Sequence, residues 1–484
     1  MSSKKYEPYL EFCKKARDNG RKRFLYKAFN DQHKKNTTLS IVDEGQDPKP
    51  NDAISLNAEA HNTRMDSGLE QGEQVTSTRS LFYTSDAARD PQFNDAMDLN
   101  PEAYLDFVNN DYLNLRRDPR LLEAAFEYGS KYGVGSGSSR LLNFTLPIYG
   151  EFEQEIAKDK RKEEALIMGS GYQTNATVLS SLMDKRVLNA EPLVFCDRLN
   201  HASIHHACRL AGISQIRYDH CDLRHLEHLL EQNVDAGSGT RMNFIITESL
   251  FSMDGDATDL KLLAELGRKY NAFIYIDEAH ATGVFGYGLT SLLPQEDIDC
   301  FDVIMGTFSK ALGSFGGYIA TSKVIKEYLV NACTGLIYST ALPPIIIGAA
   351  RKAWEIVGRD DMRRRAANLI AMAEKLRRAL KANGWHLING NSQIIALTRP
   401  PKLDGTRNLM AEVDNTGMKS ADCGNRDEAN WSMATAKRLR EEKHILVAPI
   451  RPPTVQTSRI RINLSLNHSN DDIKLLIEAL GKAS

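Results

Sequence analysis

The chain has little from which to build covalent or membrane-bound structure. Its seven cysteines, at 13, 196, 208, 221, 300, 333 and 423, are odd in number, scattered and without a C-x-x-C pair. That pattern speaks against a disulfide framework and for a reducing compartment. No apolar run approaches the roughly 20 residues of a membrane-spanning helix; pieces such as Pro344-Ile345-Ile346-Ile347-Gly348 are far shorter. A signal-peptide core is missing too. Residues 3 to 30 are basic, but Glu7, Glu11 and Asp18 interrupt the lysines and arginines and argue against a transit peptide. A soluble, cytoplasmic protein is the expectation. There is no excess of one charge: 61 basic against 63 acidic side chains leave a net −2, which offers no general attraction to nucleic acid. Large apolar residues are scarce from about Asn36 to Asp90, so burial there cannot offset the entropy of ordering, and a linker or loop-rich insertion is expected. Residues 401–430 read the same way. Cys196, His201, His205, His206 and Cys208 cluster in sequence but match no common zinc spacing, so no metal site is expected.

What remains is a chain of 484 residues, long enough for two packed domains and an appendage. The expected division is a helical segment and polar linker over 1–100, a large domain over 101–355, and a small C-terminal domain over 356–484. Tyr6, Tyr9, Leu10, Cys13, Phe24, Leu25, Ala28 and Phe29 among charges predict an amphipathic helix broken near Asn19-Gly20.

The most informative stretch is Asp302-Val-Ile-Met-Gly306-Thr307-Phe308-Ser309-Lys310. An apolar run of strand length ends at a glycine and delivers one lysine into the turn beyond it. Upstream, Phe273-Ile-Tyr-Ile-Asp277 is a second such strand and ends in a carboxylate, which is costly to bury without a cation or strong donor. Pyridoxal phosphate (PLP) would answer both residues. Its aldehyde takes a lysine amine, and its ring nitrogen, kept protonated by a carboxylate, makes the ring an electron sink for a carbanion at an amino-acid Cα.

Asp277-Glu278-Ala279-His280, Gly306-Thr307-Phe308-Ser309-Lys310 and Tyr338-Ser339-Thr340-Ala341-Leu342-Pro343-Pro344 together resemble the α-oxoamine synthase family, from about Pro101 to the C-terminus. The resemblance implies an α/β fold of fold-type I, aspartate aminotransferase-like: a mostly parallel central sheet flanked by helices, plus a smaller α+β domain. It also implies a PLP-dependent acyltransferase, dimeric with shared active sites.

Residue by residue, the resemblance gives Lys310 the cofactor aldehyde and Asp277 the ring nitrogen. His201, in Asn200-His201-Ala202-Ser203, would stack on the ring, Ser252 would lie near its phenolic oxygen, and His280 would bond that oxygen or the substrate. The stretch Leu166-Ile-Met-Gly-Ser-Gly171-Tyr172 ends a strand in glycines before a helix, so the N–H groups of Gly171 and Tyr172 are candidates for the phosphate. Thr307 and Ser309 would add hydroxyls, and Thr340 would reach the partner subunit's phosphate. Asn110 would lie beside the substrate, and Arg459, the first arginine of Arg459-Ile460-Arg461, would bind the amino-acid carboxylate, a bidentate task suited to guanidinium.

The expected reaction is a decarboxylative condensation of an amino acid with an acyl-CoA or acyl carrier protein thioester. L-Alanine with a pimeloyl thioester, as in 8-amino-7-oxononanoate synthases, is preferred to a serine palmitoyltransferase-like or secondary-metabolic enzyme with a longer acyl chain. A non-catalytic partner subunit is the alternative of another class. A nicotinamide site at Gly133-Val-Gly135-Ser-Gly137 is more distant, since no βαβ unit with a following acidic residue accompanies it.

Overall fold

The computed structural model describes residues 4–18, 104–142, 146–233, 241–285, 293, 296–399, 424–452, 454–455 and 457–482. The expected linker near Asn36–Asp90, the helix beyond Asp18 and residues 401–423 lie outside that set. Gly424–Lys443 is helical, so the last part of the expected 401–430 loop is helix instead.

In chain order the strands are β1 (Leu105–Asp106), β2 (Glu164–Met168), β3 (Glu191–Asp197), β4 (Gln215–Tyr218), β5 (Arg241–Glu248), β6 (Phe273–Asp277), β7 (Phe301–Thr307) and β8 (Gly317–Thr321). Then follow β9 (His386–Leu387), β10 (Ile394–Thr398), β11 (Ile445–Leu446), β12 (Ala448–Ile450) and β13 (Arg459–Asn463). Seven of them form one sheet in the order β2-β8-β7-β6-β5-β3-β4. From β7 to β4 every pairing is parallel, while β8 runs antiparallel to both its neighbours.

Strands buried on both faces need unbroken apolar stretches rather than alternation. Every residue of β6, β7 and β8 is accordingly buried. Because β3, β5, β6 and β7 run the same way, their carboxyl ends share one edge, where open α/β sheets carry their sites. Asp197, Glu248, Asp277 and Thr307 end those four strands, with Glu248 and Asp277 paired in register.

The second sheet, β12-β13-β10-β9, is antiparallel, and β1 pairs with β11. It is joined to the segment before the large sheet: Asn463 N–H donates to Phe107 O (2.8 Å) and Leu466 N–H to Tyr112 O (2.9 Å). That stitching brings residues 107–113 and β13 to the same place.

The N-terminal helix α1 (Glu7–Asp18) lies on this protein's own large-sheet layer. Tyr9 is fully buried, its ring 4.8 Å from that of Tyr328, and its hydroxyl donates to Leu182 O (2.7 Å). Lys5 and Tyr6 both bind the buried carboxylate of Asp302, at the start of β7.

Candidate active site

The phosphate end is built by a helix start packed on a strand end. Ser170 caps the helix α2 (Gly171–Leu182), accepting from Gln173 N–H. A Cβ added at Gly171 would stand 3.4 Å from Thr307 Oγ1 and 3.3 Å from Met305 Cε, so glycine lets the helix start close on β7. Thr307 Oγ1 lies 2.8 Å from Ser309 Oγ and accepts from Ser309 N–H (3.2 Å). Gly171, Thr307 and Ser309 thus share one corner with the positive end of the helix. The Tyr172 side chain points elsewhere: it is exposed, with its hydroxyl 2.9 Å from His206 Nδ1.

At the next position along the edge, Asp277 is held rigidly. Its Oδ2 accepts from Asn175 Nδ2 (2.7 Å) and its Oδ1 from Ala279 N–H (2.8 Å). Asn175 is buried one turn into α2; it also donates to Ser203 Oγ (3.0 Å) and accepts from Tyr275 Oη (2.8 Å). Ser203 in turn meets His201 Nδ1 at 2.6 Å. His201 is exposed at the cap of its helix, yet surrounding protein lowers its pKa, with the Asp277 charge opposing. Its backbone N–H donates to Glu248 Oε1 (2.6 Å).

Lys310 stands in this field. Burial lowers its pKa below that of free lysine, and Asp277 and Glu248 are the opposing charges it feels most. Glu248 is pushed well above the usual carboxylate range, first by burial and then by Asp277 beside it. One edge therefore holds an amine eased towards neutrality and a carboxyl, Glu248, pushed towards its protonated form.

On the far side, His280 Nδ1 lies 2.7 Å from Tyr112 Oη, and Gln393 Nε2 donates to the His280 carbonyl (3.1 Å). Burial, then the charges of Lys310 and Arg461, hold its imidazole well below the ordinary histidine value. Asn110 Oδ1 is a hub that accepts from Tyr112 Oη (3.1 Å), Arg461 Nη2 (3.0 Å) and Asn463 Nδ2 (3.1 Å).

The two arginines of β13 stand in different surroundings. Arg459 is ion-paired with Asp254 and donates to Thr457 O (3.1 Å), whereas Arg461 reaches Asn110 and contributes to the field at both Lys310 and His280. Both arginines project from the same face of β13, and position along the strand decides which reaches the site.

Ser252 lies half-buried in the turn after β5, and Thr340 is exposed. The Gly133–Gly137 loop leaves a helix, Pro119–Tyr132, rather than a strand, so it is no dinucleotide fingerprint. It is tied to the Thr340 segment by Ala341 N–H to Ser138 O (3.0 Å) and Ser136 Oγ to Leu342 O (3.0 Å). The Cys196–Cys208 group does not converge as a metal site. Cys196 and Cys208 are buried, His205 pairs with Gln215, and His206 with Tyr172.

Residues 102–480 match the family model for aminotransferase class I and II. The chain belongs to that family. An 8-amino-7-oxononanoate synthase of Gluconacetobacter diazotrophicus is 41% identical over 384 residues, covering 78% of this chain and 88% of that protein. A Bordetella bronchiseptica protein provisionally given the same name is 43% identical over 381 residues, covering 78% and 86%. Among solved structures, 8-amino-7-oxononanoate synthase from Francisella tularensis superposes with a TM-score of 0.60 at 26% identity, over 78% of this chain and 97% of that one. Serine palmitoyltransferase of Sphingomonas wittichii shares the fold, with a TM-score of 0.66 at 23% identity, over 78% and 86%.

Within the family the chain is a PLP-dependent acyltransferase of the α-oxoamine synthase group. The site fits that cofactor on its own geometry. A glycine-tight helix start and the Thr307 hydroxyl suit a phosphate, the clamped Asp277 suits a protonated ring nitrogen, and the half-buried Lys310, its amine eased towards neutrality, suits an aldehyde. Asn175, Tyr112, Glu248, Gln393 and Arg461 were not singled out in the sequence. Asn175 lies three residues beyond Tyr172 in the helix that the glycines open, and Tyr112 two residues from Asn110, which was the available signal.

Proposed function

We propose that this chain condenses an amino acid with an acyl thioester to give an α-oxoamine, releasing carbon dioxide and the thiol. L-Alanine and a pimeloyl thioester, on CoA or an acyl carrier protein, are the preferred substrates. The observation that carries the reading is a half-buried lysine whose pKa is lowered by desolvation and which feels the charges of both the clamped Asp277 carboxylate and Arg461, the arginine that reaches Asn110. The names of the relatives support the choice of substrates.

PLP supplies the electron sink that makes a carbanion at Cα accessible. The chain's residues do the rest. Arg461, braced by Asn110, grips the carboxylate and turns Cα towards Lys310. The Lys310 amine, deprotonated more easily than free lysine, removes the Cα proton and returns one after carbon dioxide has left. His201 covers the open face. His280, fixed at Nδ1 by Tyr112, offers Nε2 to the site as a neutral imidazole. The segment of Thr340 and the exposed Tyr338, tied to the loop that carries the exposed Val134, is the part expected to meet a second copy, where Thr340 serves the partner's phosphate.

Thiol release is the test. The protein is incubated with alanine, glycine or serine, each with pimeloyl-CoA or palmitoyl-CoA. Alanine with pimeloyl-CoA should release thiol and carbon dioxide in equal amounts, and Lys310→Ala should abolish both. Release with serine and palmitoyl-CoA alone would move the assignment to the longer acyl class, and release with no pair would sink the reading.

A further inference from the structure

Arg459, displaced from the site, is the end of a charged chain that runs back across the large sheet. At its centre is His220, just beyond β4. Its Nδ1 donates to Asp197 Oδ1 (2.9 Å) and its Nε2 to Asp256 Oδ2 (2.9 Å), with Asp254 Oδ2 at 4.0 Å. A ring with a carboxylate at each nitrogen must carry both protons. Burial pulls its pKa down, but the hydrogen bonds to Asp197 and Asp256 outweigh this and raise it to about 12. His220 is therefore a fixed cation at neutral pH rather than a titrating switch.

Two of the carboxylates around His220 hold other parts of the structure. Asp197 Oδ1 also accepts from Leu199 N–H (2.8 Å), which shapes the loop leading to His201. Asp254 pairs with Arg459 of β13. Between Asp254 and Asp256, Gly255 (φ +73°) accepts from Ser392 Oγ (2.7 Å) and lies too close to the Ile394 carbonyl for any Cβ. Three carboxylates are thus answered by one imidazolium and one guanidinium, an arrangement that reads as a strut between the two sheets. Arg461 lies two residues after Arg459 on the same strand face, so fixing one fixes the other.

We propose that His220 is a positioning residue for amino-acid recognition: through Asp254 and Arg459 it sets where the Arg461 guanidinium stands. This rests on the reading of Arg461 as the carboxylate's partner. The holoenzyme is titrated with L-alanine and with L-alanine methyl ester, following the absorbance of the bound cofactor. The ratio of the two affinities reports the carboxylate contact alone. Arg461→Lys should collapse the preference for the free acid. His220→Gln should reduce it about tenfold, as expected for a small misplacement of the binding group, while ester affinity stays unchanged. A merely structural loss would weaken both ligands together and would overturn the proposal. So would a wild-type preference in His220→Gln alongside a collapsed one in Arg461→Lys. An intact preference in Arg461→Lys would instead refute the carboxylate reading itself. Should His220→Gln fail to fold, Asp256→Asn removes only the outer contact and carries the same expectation; an unchanged preference there overturns the proposal.

Discussion

Asn175→Ala probes the cofactor pocket through a residue that touches neither end of the chemistry directly. The amide makes three hydrogen bonds, and each is lost to a different account. Its bond to Asp277 Oδ2, at 2.7 Å, is charge-assisted and worth about 1.5–3 kcal/mol. Without it Asp277 keeps only the Ala279 N–H and can turn away from a ring nitrogen. If that loss falls on the bound state, affinity for PLP drops roughly 10- to 150-fold, since 1.4 kcal/mol is a factor of ten. The bond from Tyr275 Oη is different. Tyr275 is fully buried, and an unpaired hydroxyl there costs about 1–3 kcal/mol of folding stability whether or not cofactor is present. Ser203 retains its contact with His201 Nδ1 and should cost least. The assay is fluorescence titration of cofactor-free protein with PLP, beside thermal unfolding of the same sample. Asn175→Asp preserves the acceptor for Tyr275 but sets a second acid against Asp277, so it should bind PLP weakly while recovering part of the stability. Wild-type affinity in Asn175→Ala would refute the claim that the amide clamps Asp277.

Three further outcomes follow from buried groups. Lys160 and Glu278, both fully buried, pair at 2.9 Å beside the turn that carries His280, so Glu278→Gln should destabilise by about 3–5 kcal/mol in denaturant unfolding. Lys160→Met with Glu278→Leu should recover most of that loss, because an apolar pair leaves no charge uncompensated. His280 is held below its unfolded pKa, so the unfolded chain binds more protons as pH falls, and stability is lost below the ordinary histidine value of about 6.5. Replacing His280 by Gln should flatten that part of a melting-temperature profile; an unchanged slope would place its cause elsewhere. Gly306 has the Tyr318 phenol where a Cβ would stand, so Gly306→Ala should cost about 1–3 kcal/mol by overpacking and loosen the strand that carries Thr307 and Lys310.

Local sequence carried the strand ends. The runs Phe273–Ile276 and Val303–Met305 are apolar because β6 and β7 are covered on both faces, and the polar residues that end the two strands, Asp277 and Thr307, mark the sheet edge. The glycines at 169 and 171 similarly marked a helix start that must close on a strand. Arg459 and Arg461 could not be told apart in this way. They alternate with the same isoleucines and share one strand face, and only the register of β13 against β10 and β12 decides which meets Asp254 and which meets Asn110.

The chemistry available was therefore legible along the chain: one lysine and one carboxylate delivered to strand ends, with a glycine-led helix to receive an anion. Those properties belong to short stretches, whose apolar pattern is dictated by burial on the spot. Which distant groups hold them emerged only once the chain was folded. Asn175 on Asp277, Tyr112 on His280, and His220 between Asp197 and Asp256 join residues from separate elements, and no local pattern encodes such a pairing. Parallel strands bring their carboxyl ends to one edge, and it is that edge, assembled from parts far apart in the chain, that turns scattered polar residues into a site.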